Sequence, residues 1–137
     1  MPIPGSNDDG TMNANLAHFD LLREIAESEQ RKPWASGIHA RTLFKKPDFR
    51  VVLISLDAAA QMKEHHVDGT SSVHVLKGHI RYSTQGQVYE LRAGVLLTLG
   101  ASIKHEVQAV EESAFLLTIS WPANRELLAM PHRGYGT

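Results

Sequence analysis

Met62-Lys63-Glu64-His65-His66-Val67-Asp68-Gly69, followed after Thr70 by Ser71-Ser72-Val73-His74-Val75-Leu76-Lys77-Gly78, is the stretch that decides the fold. It contains two short runs, each ending at a glycine, and the second places Val73 and Val75 on one side of an extended chain. On both sides the same rhythm continues. The strand-like runs are Arg41–Lys45, Arg50–Leu56, Met62–His66, Ser71–Lys77, His79–Ser83, Gln87–Leu91, Val95–Leu99, His105–Val110 and Ala114–Ser120. Each has the length of an ordinary strand. Asp68-Gly69, Gln85-Gly86 and Ala93-Gly94 mark reversals, where glycine supplies backbone freedom at positive φ.

Val51-Val52-Leu53-Ile54 and Phe115-Leu116-Leu117 are continuous in hydrophobicity, which predicts strands covered on both sides. Many short antiparallel strands without intervening helices leave a sandwich, a jelly roll or a closed barrel. Something must lie over an outer face, and a partner subunit would serve; this, with the symmetric habit of soluble proteins, is the ground for expecting a homodimer.

Before the strands, Leu16, Phe19, Leu22 with Leu21 beside it, Ile25 and Ala26 recur at helical spacing, with Glu24, Glu27 and Glu29 off that stripe. One short amphipathic helix is predicted, ending before Pro33. Residues 1–14 are expected to form a flexible tail and 15–137 a single domain, with a second short helix near Asn124–Met130. The 137 residues suit one domain, and 14 Lys plus Arg against 15 Asp plus Glu give a net charge of −1, without the basic excess that nucleic acid requires. Cysteine is absent, excluding disulfides, thiolate metal sites and a Cys nucleophile. No uncharged apolar stretch approaches the roughly 18 residues of a membrane helix. The first residues lack the basic and apolar regions of a secretory signal, so a cytoplasmic location is expected.

Eight histidines are the unusual count. Here the sequence resembles the cupin superfamily. The segment from Met62 to Gly78 is similar to its first motif, in which two histidines and a glutamate precede a Val-Leu-x-Gly turn. The stretch Tyr89-Glu90-Leu91-Arg92-Ala93-Gly94-Val95-Leu96-Leu97-Thr98-Leu99-Gly100-Ala101-Ser102-Ile103-Lys104-His105 resembles the second motif, which closes on a single histidine. The likeness covers residues 40–121. It implies an all-β cupin double-stranded β-helix, a jelly-roll barrel preceded by the short helix.

The resemblance also implies a divalent metal, Fe, Mn, Ni or Zn, at the barrel mouth, and the candidate ligands are Glu64, His65, His66 and His105. Two alignments are open. If Ala59 takes the place of the usual glycine, His65 is the first ligand, Val67 replaces the second histidine and Ser71 replaces the glutamate. A shift of one residue gives Glu64, His66 and His105 instead. On a regular strand Glu64 and His66 share a face and His65 points away, although a bulge would relax this. His74, by its parity with Val73 and Val75, is expected to face outward. His79, His39 and His18 are expected at the surface or an interface, and the aromatics Phe44, Phe49, Tyr82, Tyr89, Phe115 and Trp121 in core or interface packing.

Cupins that keep a metal centre carry out dioxygenation, isomerisation, epimerisation or decarboxylation. An oxygenase- or isomerase-type reaction on a small, largely apolar molecule is therefore one expectation. A metal-free, non-catalytic ligand-binding or sensing cupin is the other, and Val67 and Ser71 at ligand positions favour it.

Overall fold

One α-helix, a 3₁₀ turn (Ala35–Gly37) and nine strands form among residues 15–122, the part of the chain described by the structure, a computed structural model. The tail expected over residues 1–14 and the helix expected near Asn124–Met130 lie outside the described residues.

Helix α1 (Leu21–Glu29) starts at Asp20, whose Oδ1 accepts a hydrogen bond from the Arg23 backbone N–H at 3.2 Å. This cap satisfies one of the donors left open at a helix start. The helix buries Leu21, Glu24, Ile25 and Ser28 to varying degrees, while Leu22 is 79 % exposed. The buried face is thus rotated from the expected one, with Leu21 in place of Leu22 and Glu24 turned inward. The cause is Arg41, whose Nε lies 2.9 Å from Glu24 Oε1 and gives the buried carboxylate a counter-charge.

The strands are β1 (Ile38–Lys46), β2 (Phe49–Leu56), β3 (Gln61–His65), β4 (Thr70–Lys77), β5 (His79–Thr84), β6 (Gln87–Arg92), β7 (Leu96–Leu99), β8 (His105–Ala109) and β9 (Ser113–Ser120). Every strand expected from the sequence is present. Two antiparallel sheets form, ordered β1-β2-β9-β4-β7 and β3-β8-β5-β6. Apart from the β1–β2 and β5–β6 hairpins, strands next to one another in sequence cross between the sheets, which closes a jelly-roll barrel.

The inner faces meet in one apolar cluster built on Ile54, Leu56, Val73, Val75, Ile80, Tyr82, Val107 and Phe115. A second cluster lies on the outside of the five-stranded sheet, where Ile25 of α1 joins Leu43, Leu53 and Ala114. The two-sided apolar strands, β2 and β9, are therefore covered on the outside, at least over this cluster, by this chain's own helix. Gly69 has a role different from the one expected of it. It is not at positive φ; a Cβ there would lie 2.4 Å from the Ser120 carbonyl oxygen, so the residue is small because two backbones touch.

Candidate functional site

β3 and β8 build the site. Gln61 pairs with Gln108 and Met62 with Val107, and then the register shifts so that His65 pairs with His105. Lys63 and Glu64 together oppose Glu106 alone, which is a β-bulge. The extra residue reverses the parity of the strand: Met62 and His65 face the barrel, and Glu64 does not. Glu64 is exposed and lines one groove with Gln61, Met62, Lys63, Val107 and Gln108 and a smaller one with Thr84, Lys104 and His105, and His66 is exposed. Of the two alignments left open by the sequence, the geometry matches the one that starts at His65.

The His65 and His105 rings meet edge to face with centroids 4.2 Å apart. Tyr82 of β5 stacks on His105 at 5.0 Å, with ring planes 14° apart. The sequence placed Tyr82 in packing only; nothing in its spacing shows that β5 lies beside β8, which sets the stack. His65 Nδ1 lies 2.7 Å from the Lys63 carbonyl oxygen and His105 Nδ1 lies 3.1 Å from that of Ile103. A carbonyl only accepts, so each Nδ1 carries a proton, and in a neutral ring the lone pair then lies on Nε2. Neither Nε2 has a hydrogen-bond partner among the described residues.

Burial holds the His105 pKa below its ordinary range; the charges of His65 and His66 push the same way, and the Ile103 carbonyl opposes them. The neutral ring is favoured in the folded state. Its stabilising contribution is complete above the unfolded value of about 6.5 and is lost as pH falls through the lowered one. The urea midpoint is expected to drop between pH 7 and pH 5, and His105→Gln to reduce that drop. An unchanged slope in the variant would contradict this assignment. Burial also pushes Tyr82 up to about 12, so its hydroxyl keeps its proton at neutral pH.

A resident transition metal asks for three or four nitrogen, oxygen or sulfur donors. The mouth offers two imidazoles. Val67 cannot coordinate, Ser71 is a neutral hydroxyl on the inner side of β4 with Val73 and Val75, and Glu64 and His66 are exposed. Among the described residues no three His, Asp or Glu side chains come together in a metal-holding group. The donor set does not fit a resident metal of the kind the resemblance implies.

The other histidines divide. His74 alternates with the buried Val73 and Val75 and faces outward, as its parity implied. His79, expected at the surface or an interface, is 6 % exposed within the chain itself, and its Nε2 lies 2.6 Å from Glu90 Oε1 across the β5–β6 hairpin. This contact holds Glu90 below the usual carboxylate range, with Arg81 adding to the effect. A partner two positions off the direct cross-strand register is what pattern reading missed.

Comparison with solved structures agrees with the architecture. A conserved protein of unknown function from Streptococcus pyogenes superposes with a TM-score of 0.62 at 25 % identity, over 66 % of this chain and 80 % of that one. A cupin superfamily protein from Desulfitobacterium hafniense gives 0.63 at 14 % identity, over 69 % and 87 %. An RmlC-like cupin from Shewanella frigidimarina gives 0.61 at 17 %, over 67 % and 83 %. No protein-family model matches the chain and no curated protein matches it. Fold and site thus define a β-barrel of the double-stranded β-helix class. In fold, the chain is similar to these small cupin-superfamily proteins. No helix among the described residues is long and apolar enough to cross a membrane.

Proposed function

We propose that this cupin domain binds a small molecule at its barrel mouth through the His65–His105 pair, without a resident metal. The observation that carries the reading is the pair of rings with both Nδ1 atoms held by carbonyls and both Nε2 atoms without a hydrogen-bond partner among the described residues. Two acceptors side by side select a ligand that offers O–H or N–H donors. The apolar inner cluster behind them, Met62, Leu97 and Leu99 at its margin, suits a ligand with an apolar body.

A second reading is favoured by the same carbonyls, because a carbonyl on Nδ1 is the usual outer-shell partner of a metal-bound histidine. In that reading His65 and His105 would hold a divalent ion, but two imidazoles fall short of the three or four donors a resident metal needs.

A screen of phenol, hydroxamate and amide fragments by ligand-observed NMR at pH 7.5 tests the first reading in the presence of a chelator. Binders are expected to weaken about tenfold or more in His65→Ala and His105→Ala, each variant losing one accepting nitrogen. They are also expected to weaken as the pH falls and Nε2 becomes a donor. Fragments that bind both variants with unchanged affinity would overturn the reading.

A further inference from the structure

A cleft of about 850 Å³ lies between the end of α1 and the start of β1, lined by Glu27, Gln30, Arg31, Trp34, Ile38 and His39, with Pro33 and Ala35 at its rim. Its volume is within the roughly 300–1,000 Å³ range of small-molecule sites. It stands at the end of the barrel away from the histidine pair. β8 runs from His105 to Ala109; Ala109 bonds Ala59 and Ala60, and Asp57 donates to the Gly37 carbonyl beside the cleft.

The lining is preformed. Trp34 is 8 % exposed, and its Nε1–H donates to the Ser28 carbonyl at 2.9 Å, which fixes the indole. The His39 ring stacks on the indole at 6.0 Å, with planes 25° apart. The Lys32 ammonium also lies 4.6 Å from the indole centroid and is engaged by Asp57 and Glu112 at 3.1 and 2.7 Å.

The polar groups are biased towards donors. His39 Nδ1 is buried with no hydrogen-bond partner among the described residues. A buried nitrogen without an acceptor is better left as a bare lone pair than as an orphaned N–H, so the neutral ring carries its proton on Nε2. Arg31 makes no ion pair among the described residues and is close enough to His39 to bear on its charge. Glu27, the acidic member of the lining, has Arg23 beside it at 3.6 Å. What remains is a guanidinium, an imidazole N–H and the Gln30 amide around an aromatic and aliphatic wall. A planar guanidinium suits the two oxygens of a carboxylate.

We propose that this cleft is a second ligand site, separate from the barrel mouth, which takes a small carboxylic acid with an aromatic or aliphatic body. The carboxylate meets Arg31 and His39, and the body rests against Trp34, Pro33 and Ile38.

Titration of the full chain with benzoate, and separately with neutral benzamide, tests this by ¹H–¹⁵N NMR with the Trp34 indole and the histidine rings assigned. Benzoate is expected to give saturable shifts at the Trp34 Nε1–H and at His39, with none at His65 and His105. Benzamide is expected to bind about tenfold more weakly, and Arg31→Ala to weaken benzoate by a similar factor while leaving benzamide unchanged. Arg31 is exposed, so its loss leaves the core intact. Three results would each overturn the proposal: no saturable shift at Trp34, equal affinity for the two probes, or full benzoate affinity in Arg31→Ala. Shifts confined to His65 and His105 would also overturn it and would place the acid in the barrel mouth.

Discussion

Gly78→Ala is expected to destabilise the domain by about 2–5 kcal/mol, against a total stability on the order of 5–15 kcal/mol. Two costs add. Gly78 sits at φ +84°, where a side chain is disfavoured, and its Cβ would lie 2.3 Å from the Glu112 carbonyl oxygen and 2.8 Å from the Ser113 Cα. The turn cannot open to relieve the clash without losing its ties. The Gly78 carbonyl accepts from Ala93 N–H at 3.1 Å, and His79 N–H donates to Ser113 Oγ at 2.9 Å. Gly86 provides the comparison, with φ +77° and nothing within 4 Å of an added Cβ. Gly86→Ala carries the backbone cost alone, about 1 kcal/mol. Urea denaturation of the two variants separates the steric part, and equal midpoints would contradict the close packing at Gly78.

Phe115→Ala is expected to cost about 3–5 kcal/mol. Phe115 is 2 % exposed on β9, pairs with Ile54 on one side and Val75 on the other, and faces the inner cluster from the middle of its sheet. Those neighbours belong to hydrogen-bonded strands and cannot collapse into the space left behind. Leu116, the next residue, points to the outer side under α1 and is only half-buried. Its truncation is expected to cost less, because the helix can settle onto the sheet. Calorimetric or urea unfolding of the pair checks the order; a larger loss for Leu116→Ala would contradict the assignment of inner and outer faces.

The strands were legible because alternation and turn residues are local signals, and the nine runs needed no knowledge of their neighbours. What sequence could not supply was the identity of whatever touches a face. The apolar outer side of β2 and β9 called for a cover, but a stripe of Val and Leu does not say whether the cover is another subunit or α1. The helix face was misread for the same reason: Glu24 is an unlikely inward residue until Arg41 is known to sit opposite.

The site depended on one residue of register. Lys63 and Glu64 are both polar, so no hydrophobic pattern marks the bulge between them, and the choice between His65 and His66 stayed open. His105 was legible from its distance along the chain. Tyr82 behind it, and the cleft formed by Arg31, Trp34 and His39, come from contacts across turns and strands that periodicity does not record.

The mouth as a two-histidine acceptor site, with no third donor, is the central claim. Metal content of protein purified without a histidine tag, measured by mass spectrometry beside His65→Ala, His66→Ala and His105→Ala variants, tests it most directly. The account predicts metal well below one ion per chain in all four proteins, before and after reconstitution with iron, manganese, nickel or zinc. Near-stoichiometric metal that disappears with His105 and with His65 or His66 would contradict it.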